Sequence, residues 1–158
     1  MNRKKEIPGI LANIRRFALS LAGNVADADD LLQSTVERLL TRAIPADAAL
    51  LPWSLTVCRN LWIDEVRSRK LRLEVAAEAA LEQATAVDGE QQAHGELGLR
   101  EVQVALVRMP EEQRAVLELV AVEGYSYKEA AAVLAIPIGT VMSRLARGRA
   151  ALTGLAAQ

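Results

Sequence analysis

The chain has 158 residues, 51% of them apolar and 25% charged, with a net charge of −1; that suits one ordinary domain or two small ones of a soluble, globular class. It holds two Trp, two Tyr, one Phe, one Cys (Cys58) and one His (His94). Aromatic-rich sandwiches and barrels, an internal disulfide, a Cys/His zinc site and a Cys-His nucleophile are therefore not expected. No apolar run approaches the ~18 residues of a membrane span, and no unbroken apolar stretch follows Arg3, Lys4 and Lys5, so a cytoplasmic protein with no membrane insertion of its own is expected.

Residues 10–22 carry Ile10, Ile14, Phe17, Ala18 and Leu21 at helical spacing, and Gly23-Asn24 closes that helix. Asp27, Asp29 and Asp30 open a second helix to about Arg42, where acid in the first turn suits the dipole. No fourth ligand or Gly-rich loop accompanies the three aspartates, so no metal or other cofactor is expected. On this helix Ala28, Leu32, Val36, Leu39 and Ala43 share an expected buried face. Asp30, Gln33, Ser34, Glu37 and Thr41 share the other, an acidic and amide-bearing surface suited to a protein partner; spacing alone favours a merely solvated face. A loop over 44–52 precedes a third helix from about Trp53 to Lys70. Its expected core face is Leu55, Cys58, Trp62 and Val66. Trp53, Val57, Asn60, Asp64 and Arg67 lie opposite and can stack on, and hydrogen-bond to, unstacked bases.

Charge divides the chain. Residues 1–72 are net basic, with a cluster at Arg59, Arg67, Arg69, Lys70 and Arg72. Residues 73–98 are Ala/Glu/Gln-rich and acidic, and read as a linker, partly helical. A second module begins near Leu99. One helix from Arg100 stops at Met109-Pro110. The next starts on Pro110 and runs to about Val122, ending at Gly124. Ser126-Tyr127-Lys128-Glu129 is a capping box for a short helix over 127–134, and after Pro137 a last helix runs from about Ile138 to Leu152. No strand is expected.

The stretch 127–148 has helix-turn-helix spacing: small Ala131 at the crossing, Ala135 where the turn favours Gly, and Val141 locking the second helix. At ~100° per residue, Val141, Leu145, Gly148 and Leu152 form a core stripe, while small Gly139, Ser143, Ala146 and Ala150 lie opposite. Thr140 and Arg147 flank that stripe on one side, Met142 and Arg149 on the other, as expected of a recognition helix in a major groove. An ordinary helical hairpin with a cationic end is the alternative.

Five stretches carry a resemblance. Asp29-Asp30-Leu31-Leu32-Gln33-Ser34-Thr35, then Trp53 with Arg59-Asn60-Leu61-Trp62-Ile63-Asp64, then Leu106 through Arg114, Glu123 through Ala131 and Pro137-Ile138-Gly139-Thr140-Val141-Met142-Ser143-Arg144-Leu145-Ala146-Arg147-Gly148-Arg149 are similar, in order, to the extracytoplasmic-function (ECF) sigma factors of the sigma-70 family. The resemblance implies an all-α fold of two small helical domains joined by a flexible acidic linker: region 2 over 1–72, the linker over 73–98 and region 4 over 99–158. It implies an alternative RNA polymerase sigma factor, not an enzyme, that binds the β′ clamp helices and β flap of core RNA polymerase and directs it to promoter DNA. By position, Asp30, Gln33, Ser34 and Glu37 match the polymerase-binding face. Trp53, Val57, Asn60, Asp64 and Arg67 match the face that captures the melted −10 element. Thr140, Met142, Ser143, Arg144 and Arg147 match the readers of the −35 duplex, with Tyr127 and Lys128 on phosphates. An anti-sigma factor is an implied partner. This chain departs from the family habit at Ser34 (often acidic), Met142 (often Lys or Arg) and Ala146 (often bulky). A one-component helix-turn-helix regulator is the rival reading; it leaves the Trp53–Arg67 face idle and shows no dimer seam.

Overall fold

The computed structural model describes residues 3–80, 106 and 108–156. Most of the expected acidic linker, including His94, and most of the helix expected from Arg100 lie outside the described residues. Among those described, every regular element is helical.

The first half is built on α1 (Leu11–Ala22), α2 (Val25–Thr41) and α3 (Leu50–Ala80), preceded by a 3₁₀ helix over Arg3–Ile10. That 3₁₀ helix has too little apolar periodicity to be legible in the sequence. It is held by Ile7 in the core and by side-chain donors: Arg3 to the Pro45 carbonyl at 2.6 Å and Lys4 to the Leu40 carbonyl at 2.6 Å. Between α1 and α2 the chain turns on Gly23, at φ +80°, whose N–H bonds the Leu19 carbonyl. Asn24 then starts α2 rather than finishing α1. Its side chain accepts from the Asp27 N–H at 2.9 Å, satisfying one of the orphan donors of the first turn.

Of the expected α1 stripe, Ile14, Phe17, Ala18 and Leu21 are buried, while Ile10 is half-buried at the end of the 3₁₀ helix. On α2 the buried stripe is rotated from the expected one. Ala28, Leu31, Thr35 and Leu39 are buried, Leu32 and Val36 are half-buried, and Ala43 lies exposed beyond the helix. Polar Thr35 can occupy the centre because its hydroxyl donates to the Leu31 carbonyl at 2.7 Å, leaving no unmet group. Ser54 is buried on α3 by the same device, donating to the Leu50 carbonyl at 2.7 Å. Leu55, Cys58 and Trp62 complete this core. Val66 does not: it is exposed. Helix α3 nevertheless continues to Ala80, so the first residues of the expected linker are helical and project with Leu71, Leu73 and Val75 exposed.

The second half comprises α4 (Glu111–Leu117), a π-helical turn over Glu118–Val122, α5 (Tyr127–Leu134) and α6 (Ile138–Ala156). Pro110 caps α4 from outside instead of entering its first turn. Gly124, at φ +74°, ends the π turn. The capping box forms in full: Ser126 accepts from the Glu129 N–H at 3.0 Å and Glu129 accepts from the Ser126 N–H at 3.1 Å. Helix α5 ends in a Schellman turn at Ala135 (φ 53°, ψ 46°), with the Ile136 N–H on the Ala131 carbonyl. Helices α5 and α6 are bent 103° from one another, within the range of a helix-turn-helix. Val141, Leu145 and Gly148 face the core, and a Cβ at Gly148 would sit 3.0 Å from Leu117.

The two halves are not separate. One continuous apolar core runs through both, with α1 against α4 and α3 against α5.

Candidate nucleic-acid and polymerase interfaces

On α2, Asp30, Gln33, Ser34 and Glu37 are all exposed and fall on one side of the helix, opposite the Leu31–Thr35–Leu39 stripe. Neighbouring Asp27 is not part of that surface. Its carboxylate takes both Arg69 terminal nitrogens, at 2.8 and 3.0 Å, as well as the Asn24 amide. These bonds, Arg69 first, pull its pKa down to about 2.

On α3, Asn60, Asp64 and Arg67 are exposed, whereas Trp53 and Val57 are half-buried. The expectation of one open face is corrected here: α5 packs against the start of α3, and Trp53, Pro52 and Thr56 share a shallow groove with Glu129, Ala132 and Val133. The basic cluster also divides. Arg69 spans Asp27 and Glu65 and lies 5.4 Å from the centre of the Trp62 ring, so it serves the fold. Arg67 is exposed. Arg59 is half-buried; burial, then the nearby Arg144 charge, press its guanidinium below its ordinary pKa, with Glu111 opposing. The α3 and α6 cations thus approach one another. Trp62 is core, 6% exposed. Cys58 is buried beside Thr35, and that burial pushes its thiol up to about 12, an inert group.

On α6, Gly139, Met142, Ser143, Ala146, Arg147 and Ala150 are exposed, and Thr140 and Arg144 are half-buried. Ser143 donates back to the Thr140 carbonyl at 3.1 Å, and Arg144 lies 4.0 Å from Glu112. Tyr127 and Lys128 are exposed at the start of α5.

The residues that sequence reasoning missed join the halves. Arg16 of α1 reaches Glu123 at 3.3 Å and Glu118 at 3.8 Å, and Asn13 donates to Glu123 at 2.8 Å. Arg114 of α4 donates to the Ser20 carbonyl at 2.8 Å and the Leu21 carbonyl at 3.4 Å, closing the end of α1. Glu118 Oε1 is buried without a hydrogen bond. Burial, then the Glu123 charge, raise its pKa to about 7, with Arg16 opposing. The Tyr125 hydroxyl, also buried and unpartnered, is raised to about 12 by burial and by Glu123 and Glu129. Nothing in the spacing of one chain pairs α1 with a segment a hundred residues away.

Two family models match the chain: sigma-70 region 2 over residues 10–72 and sigma-70 region 4 over residues 99–152. The ECF RNA polymerase sigma factor EcfG of Rhodopseudomonas palustris is 35% identical over 154 residues, covering 96% of this chain and 83% of that protein. This chain belongs to the ECF sigma factors. The probable RNA polymerase sigma-C factor of Mycobacterium bovis is 36% identical over 143 residues, covering 89% of this chain and 75% of that one. The solved structure of the sigma factor RpoE of Bartonella quintana, in complex with the anti-sigma factor NepR, superposes with a TM-score of 0.76 at 28% identity. It spans 96% of this chain and 94% of that one, so the likeness takes in both halves together. As an ECF sigma factor the chain acts in transcription initiation, and its two helical halves are sigma regions 2 and 4. No single described helix is long and apolar enough to cross a membrane.

Proposed function

We propose that this sigma factor holds core polymerase through Asp30, Gln33, Ser34 and Glu37. In the same reading it captures the melted −10 strand with Trp53, Val57, Asn60, Asp64 and Arg67. It reads the −35 duplex with Thr140, Met142, Ser143, Arg144 and Arg147, with Tyr127 and Lys128 on phosphates. One observation carries the assignment: three chemically different surfaces lie on three different helices. The α2 surface is acidic and amide-bearing, which repels phosphates and suits a protein. The α3 surface mixes an aromatic, an amide and an arginine, which suits single-stranded bases. The α6 surface is small and cationic, which suits a duplex groove.

Partial cover of Trp53 by α5, and the closeness of Arg59 to Arg144, support a second point: the packed halves are a resting form. Elements named −10 and −35 lie about 25 base pairs apart, roughly 85 Å of duplex at 3.4 Å per step. Two halves in contact cannot occupy both. Core polymerase supplies the separation, and an anti-sigma protein is the expected partner of the packed form.

The test is run-off transcription with purified core polymerase, using the double variant Gln33→Ala/Glu37→Lys. Both positions are exposed, so the melting transition should move by less than about 0.5 kcal/mol, while co-purification with core polymerase and transcription are lost. Full transcription by the double variant would remove α2 from the polymerase interface.

A further inference from the structure

The recognition helix carries an apolar ridge whose chemistry the −35 reading above, which includes Met142, leaves unspecified. Ile138 is 44% exposed and Met142 51% exposed, and Ala146 is exposed beside them. Their spacing, i, i+4 and i+8, stacks them in one row on the helix surface. The hydrophobic demand of α6 is met on its other side by Val141 and Leu145, which are buried, so the ridge is surplus to folding.

The polar neighbours are partly committed within the chain. Ser143 bonds back to Thr140, and Arg144 lies near Glu112. A methionine cannot donate to or accept strongly from a base edge. In a major groove one apolar group is on offer, the 5-methyl of thymine. Methionine, unbranched and polarisable, fits itself to such a small target. Glycine at 139 and alanine at 146 let the helix come close enough for that contact. An apolar protein surface would also cover the ridge. Charge decides against it: α6 carries Arg144, Arg147 and Arg149 and no carboxylate, the complement of a polyanion.

We propose that the Ile138–Met142–Ala146 ridge reads thymine methyl groups in the −35 duplex, with Met142 as the residue that sets a preference for thymine at one position. This rests on the −35 assignment above and specifies its ligand as a 5-methylpyrimidine.

The experiment uses the full chain with core polymerase. Promoters are selected from a library randomised across the −35 region, and the selected duplex is remade with deoxyuridine in place of each −35 thymine in turn. At one position, loss of the methyl should weaken holoenzyme binding roughly fourfold, the worth of one buried methyl group. Met142→Ser should bind the thymine and uracil duplexes equally. Met142→Leu should restore the discrimination, which a purely structural role would not require. Wild-type holoenzyme that binds thymine and uracil duplexes alike at every position would overturn the proposal. So would Met142→Ser that keeps the wild-type ratio. If Met142→Ser instead lowers co-purification with core polymerase while leaving that ratio intact, the ridge is a protein surface. A holoenzyme that selects no −35 sequence at all would remove the −35 assignment itself, and the proposal with it.

Discussion

Arg114 lies directly over Gly23: a Cβ built on the glycine would meet the Arg114 Nη2 at 3.1 Å. The same guanidinium donates to the Ser20 carbonyl, one turn back on α1. The turn that ends the first helix of region 2 is thus also the seat of an arginine from region 4. Gly23 answers two demands at once, a left-handed backbone and an absent side chain.

Gly23→Ala should therefore cost more than its backbone alone. Gly124→Ala is the matched control, since Gly124 also has positive φ but nothing within 4 Å of its would-be Cβ. We expect about 1–2 kcal/mol from Gly124→Ala and a larger loss from Gly23→Ala, by urea denaturation. The excess should vanish when both glycine variants are remade in an Arg114→Ala background, as a double-mutant cycle reports. Equal costs for the two glycines would mean that Arg114 yields freely.

The Arg16 seam should respond to pH. Glu118 has an ordinary pKa of 4.5 and is raised to about 7 in the packed form. A carboxyl raised on packing binds its proton more tightly there, so packing is favoured in acid and weakens as pH climbs from about 4.5 to 7. Glu118→Gln should flatten that stretch and leave the packed form more stable than wild type at pH 8. Asp27, held at about 2 against an ordinary 3.8, runs the other way: its stabilisation is present above 3.8 and is lost as pH falls through about 2. A thermal unfolding series across pH separates the two windows. A Glu118→Gln variant with the wild-type pH profile would show that Glu118 titrates normally.

Ala135 should accept glycine with profit. An alanine in the left-handed region is strained by about 1–2 kcal/mol, and glycine's greater freedom in the unfolded chain returns about 0.4–1 kcal/mol of that. Ala135→Gly should raise stability by roughly 0.5–1 kcal/mol without altering promoter selection. A loss of stability would mean that the alanine methyl has packing value in the turn.

Two arginines two residues apart should behave oppositely. Arg69→Ala removes the partner of Asp27 and Glu65 and the cation over Trp62; its side chain is 39% exposed, so about 1 kcal/mol of stability is the expected loss. Arg67→Ala, on the exposed face, should leave the melting temperature unchanged and slow promoter opening. Transcription from a template with a premelted −10 region distinguishes folding from capture.

Much of the fold is local and was legible. The capping box at Ser126 forms as its residue types require, because both bonds lie within one turn. The α1 stripe and the Val141–Leu145–Gly148 stripe follow helical period. On α2 the period places Ala28 and Leu39 correctly but not Leu31 and Thr35, because a threonine that bonds its own helix buries as well as a leucine. Helix α3 outran its expected end, since Ala- and Glu-rich sequence sustains a helix beyond the bundle that nucleates it.

By itself, the sequence determined the helical character of α1, α2, α5 and α6, how the helix-turn-helix is capped and turned, and the family that its motifs spell. Those depend on neighbours within a few residues along the chain. Only the tertiary structure decided which arginine serves the fold and which faces outward, that Trp53 is half-covered by α5, and that Arg16, Arg114, Glu118 and Glu123 join the two halves. Most of these contacts join residues far apart in the chain, 42 positions for Arg69 with Asp27 and 107 for Arg16 with Glu123. Charge and helical period constrain them no further than saying that some opposite charge will be met; the packing of α1 on α4 and of α3 on α5 chooses which.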